Sequence, residues 1–417
     1  MVGSPLVFFD ERSVLYVYEV RLEDVSVPLF LHPRYTTDMA RNTNGTGFSL
    51  KDELFNKKKV KYLGSLFAQT DGRFDAEAFV QEVMKDMLSL ELKQRIVCIA
   101  KGLEKQLPID FEKACTCIVK ALPDELDPYK TDDDFGDFIF APLGEYVIRN
   151  GLKKEFLKTS LATLKEITKR FSMEDAIRYF INAFPEETMK ELGSWTHDQN
   201  YHVRRLVSEG TRPLLPWSGR VVLEVSGPLP YLDILHADST RYVTRSVANH
   251  INDISKKEPK VAVQTLSRWQ KKGIQEKTEM DWMTRHSLRT LLKQGHTGAL
   301  EMLGYHTRPK INVSDIVVNY DTVKMGESLD FSCTVTAQRD EKLMVDYVID
   351  FVKANGQTKP KVFKLKKFEL KKGESVTLKK SHRFRKDATT FTLYPGEHSV
   401  RLQINGTQMG CLRFKLK

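Results

Sequence analysis

The pattern of apolar positions predicts helices over most of the chain. The segments FDAEAFVQEVMKDMLS, LKQRIVCIAKGLEKQL and EFLKTSLATLKEITKRF carry apolar residues at the i, i+3, i+4 and i+7 positions that share one face of a helix. Short breaks such as LPID and LPDELDP separate these segments. In SLKDELF, a serine precedes acidic residues as at a helix N-terminus. We therefore expect a succession of antiparallel helices that begins near Ser49.

An internal repeat divides the middle of the chain into units of equal length. HVRR at 202–205, YVTR at 242–245 and WMTR at 282–285 follow one another at a spacing of 40 residues. A two-helix unit of this length is typical of HEAT-like repeats, which stack into a solenoid. The second helices of successive units line the concave wall of such a solenoid, so the repeated arginines should share one surface.

After Lys310 the period of the pattern changes to two. Seven segments alternate polar and apolar residues between Gly, Asn and Asp turns, namely INVSDIVVNY, SLDFSCTVTA, LMVDYVIDFVK, PKVFKLKKFEL, ESVTLKKSHRF, TTFTLYPGEHSVRLQING and CLRFKLK. Seven short strands suit an immunoglobulin-like sandwich. The predicted fold class is multidomain α and β, with an all-α HEAT-like solenoid followed by an all-β immunoglobulin-like sandwich.

The same changes of pattern give the predicted domain boundaries. Residues 1–46 end in the polar stretch TTDMARNTNGTG and are expected to be an N-terminal extension or linker. Met39 is an alternative start to Met1. Residues 47–309 form the predicted helical-repeat domain, and residues 310–417 form the predicted sandwich.

Charge and composition narrow the class of partner only slightly. The net charge is +10, and from Ile311 onward the sequence has 20 Lys and Arg against 12 Asp and Glu. A positive field favours polyanions, although many basic proteins bind nothing acidic. No apolar segment is long enough to span a membrane, and no secretory signal opens the chain. The five cysteines form no CxxC pair, so we expect a cytoplasmic protein with reduced thiols.

A polar stripe on the first repeat is the main candidate site. On a helical wheel, Glu209 lies about 40° and Arg212 about 20° from Arg205. The same register gives Arg245, Asn249, Asn252 and Asp253 one repeat later, and Arg285 in the third unit. Stacked units would combine these stripes into a basic, amide-rich channel. Alternatively, Arg205 and Glu209 form an ordinary surface i,i+4 pair.

Three further residues have both structural and functional interpretations. Glu174 follows Ser172, which is placed as a helix N-cap, so its carboxylate would complement the helix dipole. Trp217 follows Pro216 at a helix end, where core packing and half-exposure are both compatible with the sequence. Asp253 is either solvated or part of the channel.

Several reaction classes lack their sequence motifs. No serine–histidine–acid or metal-ligand pattern is present, and the sequence has neither a GxxxxGK[ST] phosphate loop nor a GxGxxG motif. We therefore expect no metal and no nucleotide cofactor.

The combined motifs resemble the AlkC family of DNA alkylation repair glycosylases, which are built from HEAT-like repeats. The resemblance rests on FSMEDAIRYF, HVRRLVSEGTRPLLPW, YVTRSVANHINDI, SLKDELFN and VDYVIDFVKANGQTKPKVFKLK, and it covers the chain from about Phe48 to the end. It includes the immunoglobulin-like domain that some members carry. Residues 1–46 depart from the family pattern.

The resemblance implies hydrolysis of the N-glycosidic bond of cationic N3-methylated bases, notably 3-methyladenine and 3-methylcytosine, in duplex DNA during base excision repair. It implies that Glu174 and Glu209 are the acidic residues around the lesion. It implies that Asp253 orients water or stabilises the sugar cation, and that Trp217 packs against the lesion or sugar. The expected DNA contacts are Arg204, Arg205, Arg212, Arg245, Asn249, Asn252 and Arg285, and the sandwich would be a second DNA clamp. We expect a monomer at the bacterial nucleoid. The alternative is a non-catalytic HEAT-repeat scaffold that binds a nucleic acid or a protein.

Overall fold

A computed structural model describes residues 39–41, 47–132, 135–386 and 392–417. Most of the predicted extension, residues 1–46, lies outside this range. Within it, β1 (Met39–Arg41) pairs in antiparallel fashion with β2 (Gly47–Ser49). The polar stretch predicted as a linker therefore contributes a short strand to a two-stranded ladder.

Helices follow from Leu50 to Met302, as the apolar pattern predicts. They are α1 (Leu50–Leu54), α2 (Lys57–Thr70), α3 (Ala76–Met84), α4 (Leu92–Glu104), α5 (Phe111–Ala121), α6 (Ala141–Gly151), α7 (Leu157–Thr168), α8 (Ala176–Ala183), α9 (Pro185–Trp195), α10 (Tyr201–Gly210), α11 (Leu229–Leu235), α12 (Arg241–Ser255), α13 (Pro259–Lys272), α14 (Lys277–Ser287), α15 (Arg289–Lys293) and α16 (Thr297–Met302). Short 3-10 turns cover Met87–Ser89, Phe138–Phe140 and Lys154–Phe156.

The predicted two-helix units are present. HVRR, YVTR and WMTR lie in α10, α12 and α14, and each of these helices follows a partner helix, α9, α11 or α13. The first unit shows why the sequence folds this way. Val203, Leu206 and Val207 are fully buried on one side of α10, and the side chain of Asn200 caps its N-terminus by accepting from the His202 N–H at 2.9 Å.

The strands that follow the helices form two sheets around one core, and both sheets are mainly antiparallel. They are β3 (Ile311–Val313), β4 (Val317–Val318), β5 (Thr322–Val323), β6 (Ser328–Ala337), β7 (Glu341–Val352), β8 (Thr358–Leu370), β9 (Ser375–Arg383), β10 (Gly396–Ile404) and β11 (Thr407–Leu416). One sheet has the order β5-β11-β10-β7-β8, and in the other β3, β4 and β9 all pair with β6. The predicted first strand is divided into β3 and β4, and β5 is additional.

The chain divides into two compact units, one ending at Asp253 and the other comprising Ile254–Lys417. The change from helix to strand occurs where the sequence predicts it, but α13–α16 group with the sandwich. Hydrogen bonds explain this grouping. Gln403 donates to the Lys293 carbonyl at 2.9 Å, and Asn405 donates to the carbonyls of His306 and Lys342 at 2.9 and 3.0 Å.

None of the helices in the described ranges is long and apolar enough to cross a membrane.

Candidate active site

A cleft of about 420 Å³ opens between α10 and α12 in the first compact unit. We call it the α10–α12 cleft, and its lining residues are Phe135, Arg205, Glu209, Tyr242, Arg245, Ser246 and Asn249. All but Phe135 come from two helices that are one repeat apart. The equivalent registers of α10 and α12 therefore meet at one site, as their shared spacing predicts.

Three acids and two arginines alternate in a network to which the lining residues Arg205 and Glu209 belong. Arg205 Nη1 lies 2.7 Å from Glu174 Oε2, and Arg205 Nη2 lies 3.6 Å from Glu209 Oε2. Arg212 connects Glu209 to the third acid, with contacts of 2.5 Å to Glu209 Oε1 and 2.8 Å to Asp253 Oδ2. All five residues are at least nine-tenths buried. A buried charge persists only when paired, so these residues act as one network.

Glu209 is the acid of this network that lines the cleft. Ser246 Oγ donates to Glu209 Oε2 at 2.6 Å, which adds a third donor side chain to the two arginines. Burial opposes ionisation of Glu209, but the charges of Arg205 and Arg212 and the Ser246 hydrogen bond outweigh it. They lower its pKa to about 2. The cleft therefore presents a carboxylate that stays ionised at neutral pH.

The pKa of Glu174 shifts in the opposite direction from that of Glu209. Burial and the neighbouring negative charge of Glu209 raise the pKa of Glu174, despite its contact with Arg205. It lies in the turn before α8, and the N-cap of that helix is Asp175. Ser172 was expected to cap this helix; instead, its hydroxyl donates to Glu174 at 2.9 Å and accepts from Arg205 at 2.9 Å. Glu174 and Ser172 therefore bind the guanidinium of Arg205, although neither residue lines the cleft itself.

Asp253 and Trp217 are not among the residues that line the cleft. Asp253 is 2% exposed and contacts Arg212 through a single oxygen. Trp217 is half-buried, and the ammonium of Lys93 lies 5.8 Å from its ring centroid. The structure thus connects Asp253 to Glu209 through Arg212, and it places Trp217 beside a surface cation.

The predicted DNA contacts fall into two groups. The guanidinium of Arg204 donates to both Asp238 oxygens, at 2.5 and 3.1 Å, and to two backbone carbonyls. Like Arg205 and Arg212, it is held by groups of the protein itself, and Asn252 is also buried. Arg245 and Asn249 reach the cleft, where Arg245 is partly exposed and pairs with Asp132 at 2.6 Å. Exposed Arg285 lies in α14, in the second compact unit.

Four residues of the site were not predicted. Ser246 and Tyr242 line the cleft, and both lie in the YVTRS stretch, so the repeat register was a signal that could have identified them. Arg178 is buried and donates to the carbonyls of Gly210, Arg212 and Gly219, which fixes the chain beyond α10. Phe135 comes from the loop before α6, where no periodicity indicated a site.

The second compact unit carries a continuous positive surface. Its cations come from α14, α15, β7 and β8, and all are exposed: Arg285, Lys293, Lys342, Lys361, Lys364 and Lys367. We call this the α14–β8 basic surface. Partial burial, together with the charges of Lys364, Arg285 and Lys342, lowers the pKa of Lys367. The mutual repulsion shows that these cations are close enough to attract one polyanion.

Within the described part of the chain, no group of three or more His, Cys, Asp and Glu side chains is arranged to hold a metal ion.

Comparison with known proteins supplies relatives for both units. A family model described as "Uncharacterised protein YhaZ, C-terminal Ig-like domain" matches residues 312–417. The uncharacterized protein YhaZ of Bacillus subtilis (strain 168) is 32% identical over 368 residues, which cover 87% of this chain and 98% of YhaZ.

A solved structure covers a similar share of the chain. It is the Pseudomonas fluorescens alkylpurine DNA glycosylase AlkC, bound to DNA containing an abasic site analog. The identity is 33% and the TM-score 0.79, over 88% of this chain and 99% of that one. Identity above 30% over nearly the whole length of both relatives shows a family relationship and not only a shared fold. The chain belongs to the family of AlkC and YhaZ.

Proposed function

We propose that this chain is a DNA glycosylase that hydrolyses the N-glycosidic bond of cationic N3-methylated bases, such as 3-methyladenine and 3-methylcytosine, in duplex DNA. The observation that carries the proposal is the ionised carboxylate of Glu209 at the wall of the α10–α12 cleft. The relationship to AlkC, an alkylpurine DNA glycosylase solved with DNA, supports the same reaction class.

The chemistry of the substrate explains why this arrangement is sufficient. An N3-methylated base is positively charged before the bond breaks, so it departs as a neutral base without receiving a proton. The demand on the protein is to stabilise the positive charge that develops on the sugar and to position a water molecule. A carboxylate serves both purposes. We therefore propose that the reaction needs neither a metal ion nor a nucleotide cofactor.

Each acid has a distinct proposed role. Glu209 faces the damaged nucleotide and stabilises the sugar cation. Its oxygens retain lone pairs for a water molecule beyond the bonds from Ser246 and Arg212. Two arginines hold Glu209. Glu174 contacts one of them, Arg205, and Asp253 contacts the other, Arg212, so Glu174 and Asp253 are positioning residues.

We propose that the exposed cations bind the DNA backbone. Arg245 and Asn249 would contact phosphates beside the cleft, with a phosphate replacing Asp132 at Arg245. Trp217 and Lys93 together offer an aromatic face and a positive charge to the damaged strand. The α14–β8 basic surface would form the second clamp. Arg204, Arg205 and Arg212 are assigned to the protein's own carboxylates.

The test is chromatography of the bases released from methylated duplex DNA in the presence of EDTA. The wild-type protein should release 3-methyladenine. Glu209→Gln keeps the shape of the side chain but removes its charge, and should slow release by about 10²- to 10³-fold, the usual cost of losing one transition-state electrostatic contact. DNA binding without release of any methylated base would contradict the proposal and favour the scaffold alternative.

The matched control is Glu82→Gln. Glu82 pairs with Lys85 and Lys105 at the surface. This variant makes the same chemical change outside the network, and it should release bases at the wild-type rate.

A further inference from the structure

Phe135 is the aromatic side chain of the α10–α12 cleft whose ring is available to a ligand. The cleft has one other aromatic lining residue, Tyr242, which is 2% exposed. The guanidinium carbons of Arg205 and Arg245 lie 4.6 and 5.6 Å from its ring centroid. The protein's own cations therefore already use the Tyr242 ring. Phe135, in contrast, is 44% exposed.

The Phe135 ring packs against two other aromatic rings. It makes edge contacts with Phe138 and Phe171, at centroid distances of 5.5 and 6.4 Å. Its backbone carbonyl accepts from the Ser172 N–H at 3.0 Å, and Ser172 contacts both Arg205 and Glu174. The backbone of Phe135 is thus tied directly to the charged network that holds Glu209.

Gly136 makes this attachment possible. It has φ +88° and pairs with Phe171 in an isolated bridge, and a Cβ added there would lie 1.9 Å from the Arg170 carbonyl oxygen. Any side chain at this position forces the backbone away from Phe171. The glycine therefore fixes the position of the neighbouring phenyl ring at the mouth of the cleft.

We propose that Phe135 is a specificity-determining residue that selects a positively charged base by presenting its ring face opposite Glu209. This inference rests on the proposed glycosylase function and concerns the recognition of the lesion. An aromatic face attracts a cation through its quadrupole, whereas a neutral base of the same shape gains only stacking. Glu209 lines the same cleft and attracts the same cation through its negative charge, so two groups of the cleft favour a charged base over a neutral one.

The test compares two lesions of the same shape and different charge. Duplexes carry either cationic 3-methylcytosine or neutral 3-methyluracil, each on a 2′-fluorinated sugar that keeps the glycosidic bond intact. The wild-type protein should bind the 3-methylcytosine duplex more tightly. Phe135→Leu keeps an apolar side chain and should reduce that preference by about three- to thirtyfold. Phe135→Tyr should keep it, and binding of undamaged duplex should be unchanged in both variants.

Gly136→Ala is the second variant, and it should reduce the preference as Phe135→Leu does because it displaces the ring. An unchanged preference in Phe135→Leu, or the absence of any preference in the wild-type protein, would overturn the inference. Base release by the wild-type protein is measured separately on ordinary methylated DNA. Its absence would contradict the proposed function, whereas the binding ratio reports on Phe135 alone.

Discussion

The ionisation of Glu209 depends on individual donors, and Ser246 is the smallest of them. Two positive charges and one hydroxyl surround a carboxylate that burial alone would keep protonated. Removing an arginine would leave a buried acid unpaired and endanger folding. Removing the hydroxyl leaves both arginines in contact with Glu209, so Ser246 is the position at which the ionisation of Glu209 can be tested in a folded protein.

Ser246→Ala should raise the pKa of Glu209. A hydrogen bond to a charged group is worth about one to two pKa units. The folded-state pKa of Glu209 is depressed, so its charge persists above the acid range and is lost as the pH falls through that value. In the variant this loss moves towards neutrality. The single-turnover rate of base release should then decline at a higher pH than in the wild-type protein.

Ser208→Ala is the control for this experiment. The Ser208 hydroxyl lies 3.0 Å from Ser246 Oγ, and it is Ser246 that donates to Glu209. Its removal should leave the acid limb of the pH profile in place. Identical profiles for Ser246→Ala and the wild-type protein would show that the hydroxyl does not maintain the charge of Glu209.

Arg245 and Arg204 have different expected roles. Arg245 lines the α10–α12 cleft and should bind DNA, whereas Arg204 pairs with Asp238 and should stabilise the fold. Arg245→Ala should reduce the slope of log K against log salt by about one, because one phosphate contact is lost. Arg204→Ala should leave this slope unchanged. It should instead lower the free energy of unfolding by about 1–3 kcal/mol, since partly buried Asp238 loses its contacts with Arg204.

The two measurements are salt-dependent DNA binding and urea unfolding, each made on both variants. A reduced salt slope in Arg204→Ala would show that this arginine leaves Asp238 for a phosphate when DNA binds.

At the scale of elements, the contact between α8 and α10 positions the end of the helix that carries Glu209. A Cβ at Gly210 would lie 2.5 Å from Ile177 Cγ2 in α8. Gly210→Ala should therefore cost about 1–3 kcal/mol through overpacking, and should also slow base release because Glu209 is adjacent. Gly219→Ala, where an added Cβ meets no atom within 4 Å, is the control. Thermal unfolding and base release of the two variants test the contact, and equal behaviour would refute it.

The helical period predicted which elements form the site. The wheel placed Arg205, Glu209 and Arg212 on one side of α10, and the 40-residue repeat placed Arg245 and Asn249 in the equivalent register of α12. Burial of these charges was not predictable. Arg205 is buried because Glu174, which is 31 residues away, supplies its counter-charge, and periodicity contains no information about such a partner. Likewise, the spacing of residues does not show that Gly136 brings Phe135 to the cleft.

At the scale of the whole molecule, the sequence located the basic excess but not its partners. The surplus of Lys and Arg after Ile311 predicted a positive sandwich, and the structure adds Arg285 and Lys293 from α14 and α15 to the same surface. The helices α13–α16 belong to the compact unit of the sandwich, so one surface can combine residues from both folds.

Replacing three cations of the α14–β8 basic surface should weaken DNA binding without affecting chemistry. Arg285, Lys364 and Lys367 are changed to Gln together. The salt slope should fall by about 2.7 because each phosphate contact contributes about 0.9. The single-turnover rate at saturating DNA should not change, since the α10–α12 cleft is intact. The control is Lys57, Lys58 and Lys61, three lysines of α2 changed to Gln, and an equal loss of binding in both variants would refute a localised clamp.

Asp346 makes the α14–β8 basic surface sensitive to pH. It is 4% exposed on β7, next to Lys364 in the sheet register, and burial raises its pKa to about 6 although Lys364, Lys367 and Lys293 oppose this. Its folded-state pKa is above the unfolded value of about 3.9. The folded protein therefore holds the proton more tightly, and the associated stability is present at low pH and is lost as the pH rises through about 6.

Asp346→Asn should remove this loss. At pH 7.5 the variant should be more stable than the wild-type protein by about 3 kcal/mol, and it should bind DNA more tightly because the basic surface has one negative charge fewer. At pH 4.5 the difference in DNA binding should disappear, because folded Asp346 is then protonated. The stability difference should fall to about 1 kcal/mol at this pH, because Asp346 still ionises in the unfolded chain, where its pKa is about 3.9. Urea unfolding and DNA titration at the two pH values measure this. Asp340→Asn, at an exposed acid that pairs with Lys371, should show neither pH-dependent difference. A stability difference between Asp346→Asn and the wild-type protein that is the same at both pH values would show that Asp346 does not titrate in this range.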